Sequence, residues 1–508
     1  MKKETVIVPK QFHYLSEYID KLPSRCLLNK GITGCGGTTL ELTCKRNSII
    51  LVPTVSLVKS KQRDGLMCVY QNVTIEDIKN YILSDIQYKK IIGTYDSLNK
   101  IMSAIPEYSN YFLLIDEYHL LFNDYSFRTE AILNVLEKFR MFHDWCFMTA
   151  TPLNDTFILQ ELKDIDQITY VWECAEKVNI HIKDTAYIQR EIIDVMTSYP
   201  NRNLHIFLNS VLTIKKIVKK LGTDDFRVVC SLNQTQTIKH KTDITSPIRK
   251  FNFYTSCSFE GCDIDDENGM TVILCDTALS TTVLDISTKI RQICGRLRNS
   301  KYKNECIIIL NTKKHRYIGV SPVEFDLVSK AAEKKGRIRE GLILRETPEE
   351  YSTEIDLYRT SKIGYINMYL NMFDGKIFYD PNLKSIDLYN YNLIAEIYND
   401  TLSVINEYKD KDFNVVSLKE TKHRYDTGIN WIFQIIKDSN KYEWTYGELE
   451  NKFKPLFKQY GMSWDPKNIF RLFFPKYIKT RKWIGGKGIV IYKFAINAPI
   501  HSLERFMD

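Results

Sequence analysis

Residues 111–122 read YFLLIDEYHLLF, an apolar run that ends abruptly in Asp116 and Glu117. A short run of this kind suits a strand buried on both faces, as in a parallel sheet covered by helices. Carboxylates abutting such a strand are costly to desolvate unless they have a task. The C-terminal edge of a parallel sheet faces the ligand crevice. There one carboxylate can hold Mg2+ while the other polarises an attacking water. His119 stands on the same edge, two residues further on.

The same grammar repeats on either side of this stretch. Apolar runs stand at CLLN (26–29), SIILVP (48–53), KIIGTY (90–95) and WCFMTA (145–150). After a break near 176–200 come LHIFL (204–208), FRVVC (226–230), FNFYTS (251–256), TVILCD (271–276) and ECIIIL (305–310). Helical patterns such as 129–140 and 210–221 lie between them, and this alternation predicts an α/β fold with parallel sheets. About ten strands strain one open sheet, and 508 residues exceed one hydrophobic core. Two tandem lobes are therefore expected, over 1–180 and 185–318.

CLLN is followed by Gly31-Ile-Thr33-Gly34-Cys35-Gly36-Gly37-Thr38-Thr39 and then a helical pattern. Small residues let successive backbone N–H groups turn toward a phosphate, and the helix start adds its dipole. Thr38 stands where a hydroxyl would bind Mg2+ beside Asp116. The P-loop pattern calls for lysine at position 37, where this sequence has glycine. Lys30, just before the loop, and Lys45, further along the helix, are the candidate replacements.

The order GxxGxGxTT, DEYH, MTATP (148–152) and QICGRLR (292–298) resembles that of superfamily 2 helicases of the DExH type. The spacing of about 85 residues from P-loop to DEYH is similar as well. LVPTVSLV (51–58), GTYDSL (93–98), HIFLNS (205–210) and YTSCSFEGCDI (254–264) look like motifs Ia, Ib, IV and V. The resemblance covers roughly 20–315 and implies two RecA-like lobes that hydrolyse ATP with Mg2+ between them. Carried over by position, it makes Asp116 and Glu117 the Mg2+ and water-activating pair. Gln292 and Arg296 would reach across the cleft, Arg296 as an arginine finger, with Arg298 also near the nucleotide. His119, Thr149, Thr151, Gly261 and Asp263 would couple the nucleotide site to nucleic acid. Thr54, Thr94 and Thr255 would lie near its backbone.

Beyond 318 the pattern changes to a mainly helical region, 319–440, with a helical reading over 322–374. Residues 441–508 then read as a basic, winged-helix-like module with a hairpin turning at Gly485-Gly486. Residues 451–500 carry 11 Lys+Arg against the single Asp465, whereas the whole chain is only +8. Such concentration suggests a polyanion partner, with Trp464, Trp483 and Lys487 placed to meet it. DNA is favoured as the track because a wing suits duplex, and RNA stays open.

The twelve cysteines form no CxxC pair and sit largely in apolar strands, which suits buried thiols in a reducing compartment. No apolar run approaches the roughly 18–20 residues of a membrane span, and MKKETVIVPK lacks the apolar segment of a secretory signal. A cytoplasmic protein without membrane contact is expected. Usage rich in Lys, Asn, Ile and Tyr suits an AT-rich genome, as in phages and mobile elements, which would place the protein in a host cytoplasm. Two functions compete: an ATP-driven helicase or translocase in replication or recombination, and a nucleic-acid-binding pseudo-ATPase clamp inactivated by Gly37.

Overall fold

The computed structural model describes residues 2–231, 237–261, 263–312, 317, 320–420, 443–459, 477–484 and 487–494. The first sheet contains β1 (Lys3–Val8), β2 (Cys26–Asn29), β3 (Ser48–Val52), β4 (Leu66–Val69), β5 (Lys90–Thr94), β6 (Phe112–Asp116), β7 (Asp144–Thr149) and β8 (Asp166–Trp172). Their spatial order is β1-β8-β2-β7-β6-β3-β5-β4, and neighbours pair in parallel. Successive residues go to opposite faces: Leu113 and Ile115 enter one apolar cluster and Leu114 the other. Both faces are covered, so β6 reads as a continuous apolar run rather than an alternating one.

The second sheet repeats the plan with β9 (Asn179–Asp184), β10 (Asn203–Phe207), β11 (Phe226–Val229), β12 (Lys241–Thr242), β13 (Phe251–Tyr254), β14 (Gly269–Asp276) and β15 (Glu305–Asn311). Its order is β12-β11-β13-β10-β14-β15-β9-β18, where β18 is the later strand Asn414–Glu420. The molecule is thus α/β, with two tandem parallel-sheet lobes, as expected, and a helical C-terminal region. Each of the ten strands read from the sequence is present. The additional strands are β1, β4, β12 and β18, which form the sheet edges, and β8 and β9, each the next strand in from an edge.

Two features position the site. In the first sheet β2, β7 and β6 are consecutive neighbours, so the loop after β2, Thr149 and Asp116 emerge side by side at one edge. In the second lobe a π-helical turn, Ile286–Ile290, runs into the helix Arg291–Cys294. Asp285 caps that turn by accepting the Thr288 N–H at 2.8 Å.

The region after 319 begins with the helices Pro322–Ile343 and Pro348–Thr360. Each opens with a Ser/Thr N-cap, proline at the first turn and a reciprocal Glu, the arrangement that satisfies orphan amides. The expected helix over 322–374 gives way to the hairpin β16 (Leu370–Phe373) and β17 (Lys376–Tyr379). It turns through Asp374 and Gly375, both at positive φ. An Asp-Gly pair between short apolar runs signals this turn, so the sequence did carry it. The helices Pro381–Tyr391 and Thr401–Asp410 follow. Tyr365, Tyr369, Leu370 and Ile377 join a core of the first lobe, and Tyr398, Val404 and Tyr408 a core of the second.

The described residues form two compact units, within Met1–Lys419 and Glu420–Asp508. The second contains β19 (Glu443–Thr445), the helix Tyr446–Gln459, β20 (Tyr477–Ile484) and β21 (Lys487–Phe494). These strands form an antiparallel sheet, with Trp483 opposite Gly488 and Lys487 opposite Ile484. Trp464 and the Gly485-Gly486 turn lie outside the described residues. No described helix is long and apolar enough to cross a membrane.

Candidate nucleotide site between the lobes

The loop after β2 is built by backbone conformation. Gly31, Gly34 and Gly36 all have φ near +80°, a region that disfavours any residue with a Cβ. At Gly31 space forbids one as well, because a Cβ would lie 2.2 Å from the Tyr170 carbonyl oxygen. The helix Gly37–Thr43 follows directly. Cys35 is buried and its thiol is pushed up to about 11 by burial, which keeps it a neutral, packed side chain. Thr39 is exposed, and Tyr14 stands over Gly36, 53% exposed.

Thr38 Oγ1 donates to Asp116 Oδ2 at 2.5 Å. The two present hard oxygens side by side, a donor set that fits Mg2+. Lys30 Nζ lies 3.4 Å from Asp116 Oδ1 and 3.3 Å from Glu117 Oε1, all three side chains being almost fully buried. Burial alone would depress the Lys30 ammonium, but Asp116 and Glu117 outweigh it and hold it above the ordinary lysine range. Burial likewise raises Glu117, and Lys30, His119 and Arg296 reverse that, leaving it below the usual carboxylate range. Glu117 is therefore an anion. It is also strained: its φ is +54°, a conformation that costs a non-glycine residue about 1–3 kcal/mol and clusters at functional sites. Tyr95 secures the turn by donating to the Asp116 and Glu117 carbonyl oxygens at 2.7 and 3.2 Å.

The second lobe completes the network. Glu117 Oε2 accepts from Thr149 Oγ1 at 2.9 Å and from Gln292 Nε2 at 3.0 Å. Gln292 Nε2 also donates to Thr151 Oγ1 at 3.1 Å. Arg296 donates to Gln292 Oε1 at 2.9 Å, which fixes the amide orientation because only the other end can donate to Glu117. His119 Nδ1 lies 2.9 Å from Thr149 Oγ1, and its Nε2 lies 3.5 Å from Glu260 Oε1. Burial lowers His119, yet Glu260 and Glu117 together raise it above the ordinary histidine value. Glu260 escaped the sequence reading, although it precedes Gly261 directly.

Arg296 is turned onto Gln292. Arg298 is the arginine that meets the loop: a Cβ at Gly34 would lie 2.3 Å from its guanidinium. Asp263 holds it at 2.8 Å. Thr33 packs on Gly295, where a Cβ would come 2.0 Å from its hydroxyl, and Gly261 packs on Leu57. The structure therefore brings Gly31 through Thr38, Asp116, Glu117, His119, Thr149, Thr151, Gln292, Arg296 and Arg298 to one cleft.

The three threonines expected beside nucleic acid make local contacts. Thr54 Oγ1 accepts from Leu57 N–H as a helix cap at 3.2 Å. Thr94 and Thr255 are buried, their hydroxyls facing Ser97 Oγ at 3.1 Å and the Val229 carbonyl oxygen at 3.5 Å. Among the described residues no group of three or more His, Cys, Asp or Glu side chains is placed to hold a metal.

No protein-family model matches the chain, and no curated protein matches it. Among solved structures it is similar to Dbp5 of S. cerevisiae bound to RNA and ADP BeF3, at 14% identity, covering 63% of this chain and 86% of that one with a TM-score of 0.40. It is also similar to the DExH-box NTPase HrpB of E. coli, at 14% identity over 58% of this chain and 40% of that one, TM-score 0.36. A DEAD box protein of Methanococcus jannaschii matches at 14% identity over 56% and 82%, TM-score 0.28. These likenesses concern the fold.

Proposed function

We propose that this protein is an ATP-driven nucleic-acid motor, a helicase or translocase that hydrolyses ATP in the cleft between its lobes. One observation carries the reading: the Glu117 carboxylate is held at once by Lys30 and Thr149 of the first lobe and by Gln292 of the second. Such a carboxylate changes its surroundings whenever the lobes part, so chemistry at Glu117 and lobe movement are linked. Thr38 and Asp116 would hold Mg2+, which supplies charge neutralisation on the phosphates. Glu117, kept anionic, accepts the proton of the attacking water. Arg298 adds a positive charge at the loop from the second lobe, and Arg296 orients Gln292. His119, between Thr149 and Glu260, passes the state of the site toward the Gly261 turn. The basic module of 441–508 supports DNA as the track, with replication or recombination as the setting.

Turnover of Mg·ATP by the purified protein, with and without single-stranded DNA, duplex DNA and RNA, tests this reading. Stimulation by one polymer is the expected result. A second reading, a clamp that binds nucleic acid without turnover, is favoured by Gly37, where a side chain would run into Met148. Salt-sensitive binding with no turnover on any polymer would decide for the clamp.

A further inference from the structure

A P-loop needs a cation at its phosphates, and position 37 supplies none: it is glycine, and the Met148 thioether fills the space a side chain would take. A Cβ there would lie 2.6 Å from Met148 Sδ, 2.9 Å from Met148 Cε and 3.4 Å from Leu15 Cδ1. Met148 belongs to β7, the neighbour of both β2 and β6, and it is the end of its side chain that occupies this space. Other cations near the loop are committed or remote. Arg46 and Lys90 are paired with the buried Glu41. Lys45 is exposed beyond the end of the helix Gly37–Thr43, and Arg298 is held by Asp263.

We propose that Lys30, entering from the opposite end of the loop, is the phosphate-binding lysine of this site. This deepens the reading of the cleft as a nucleotide site and rests on it. Among the described residues Lys30 is the one side chain ion-paired to both Asp116 and Glu117. Its backbone is fixed on two sides: its N–H donates to the Thr149 carbonyl oxygen at 2.8 Å, and its own carbonyl accepts from Trp172 Nε1 at 2.7 Å. The packed glycine at 31 prevents the loop entry from shifting. The side chain therefore starts from an anchored point and delivers a desolvated ammonium to the acidic pair. That ammonium compensates Asp116 and Glu117 while the loop is free. With Mg2+ held by Thr38 and Asp116, the ammonium would be free to exchange carboxylate oxygens for phosphate oxygens, while Glu117 keeps Thr149, Gln292 and His119 as partners.

The test is affinity for Mg2+ with a non-hydrolysable ATP analogue, AMP-PNP, measured on the full chain for wild type, Lys30→Met and Lys30→Arg. Nucleic-acid affinity and thermal melting are followed in parallel. Losing a charge-bearing donor at a preorganised phosphate site lowers AMP-PNP affinity about a hundredfold in Lys30→Met, whereas Lys30→Arg retains most of it. Wild-type affinity in a folded Lys30→Met would overturn the assignment of Lys30 alone. Failure of the wild type to bind AMP-PNP would remove the nucleotide-site reading and this proposal together. Should Lys30→Met fail to fold, a structure of the wild type with Mg2+, ADP and beryllium fluoride decides. Lys30 Nζ on a phosphate or fluoride supports the proposal. Lys30 Nζ still held by both carboxylates overturns it.

Discussion

Two of the contacts between the lobes are opposite in chemistry. In the cleft, Gln292 and Glu117 meet through buried polar atoms, each with several partners. At the second contact, Tyr389 packs its ring against Phe122 and Phe157 of the first lobe at 5.3 and 5.2 Å. Its hydroxyl donates to Asp285 of the second lobe at 2.8 Å. Phe122 lies in the helix that follows DEYH, and Asp285 caps the turn leading to Gln292. Both contacts thus span the same two functional segments. A polar network is specific to one geometry and costly when half-made, whereas an aromatic contact tolerates sliding. Under the proposed motor function the cleft would sense closure and the Tyr389 contact would keep the lobes together through it.

Substitutions should separate these roles. Gln292→Ala removes a donor to Glu117 and should lower nucleic-acid-stimulated turnover about a hundredfold in the folded protein, with a stability cost of about 1–3 kcal/mol for the partners left unpaired. Tyr389→Ala should act mainly on stability. Loss of the ring costs about 2–3 kcal/mol of stability, read from denaturant melts, while a folded fraction still turns over. A larger effect of Tyr389→Ala on turnover than on stability would merge the two contacts into one functional unit.

A third change concerns Asp124, at the end of the helix after DEYH. Burial first, then Glu260 across the lobes, push its carboxyl up to about 6. The folded protein holds this proton more tightly than the unfolded chain does. Asp124 therefore favours folding most below pH 4, and that contribution is lost as pH rises to about 6. Asp124→Asn should accordingly stabilise the protein by about 1–2 kcal/mol at pH 8 and hardly at all near pH 4. Melting temperatures across that range check the sign. The smallest effect belongs to Tyr389→Phe, which keeps the ring and loses one hydrogen bond, at a cost of about 1 kcal/mol.

The same contrast explains what the sequence disclosed. The glycine loop, Asp116, Glu117, Thr149 and Gln292 each stand at a strand end or a helix start, where local rules dictate both structure and exposure. Their convergence followed from strand order. Tyr389, Met148 against Gly37 and Glu260 against His119 have no local signature, because each derives its role from a residue far away in the chain. Tyr95 is similar: within GTYDSL it reads as an ordinary aromatic, and only the fold places its hydroxyl under the strained Glu117 turn. The Arg296 and Arg298 roles were legible as a pair but not individually, since both lie past the end of the helix Arg291–Cys294 and only the fold decides which guanidinium meets the loop.

The central claim is that Glu117 performs chemistry at a site both lobes complete. Glu117→Gln keeps the size and loses the charge, so its AMP-PNP affinity and its turnover with the stimulating polymer should be measured together against wild type. The account predicts affinity within a few-fold of wild type and turnover lower by about a thousandfold. Unchanged polymer-stimulated turnover in a folded Glu117→Gln would contradict it.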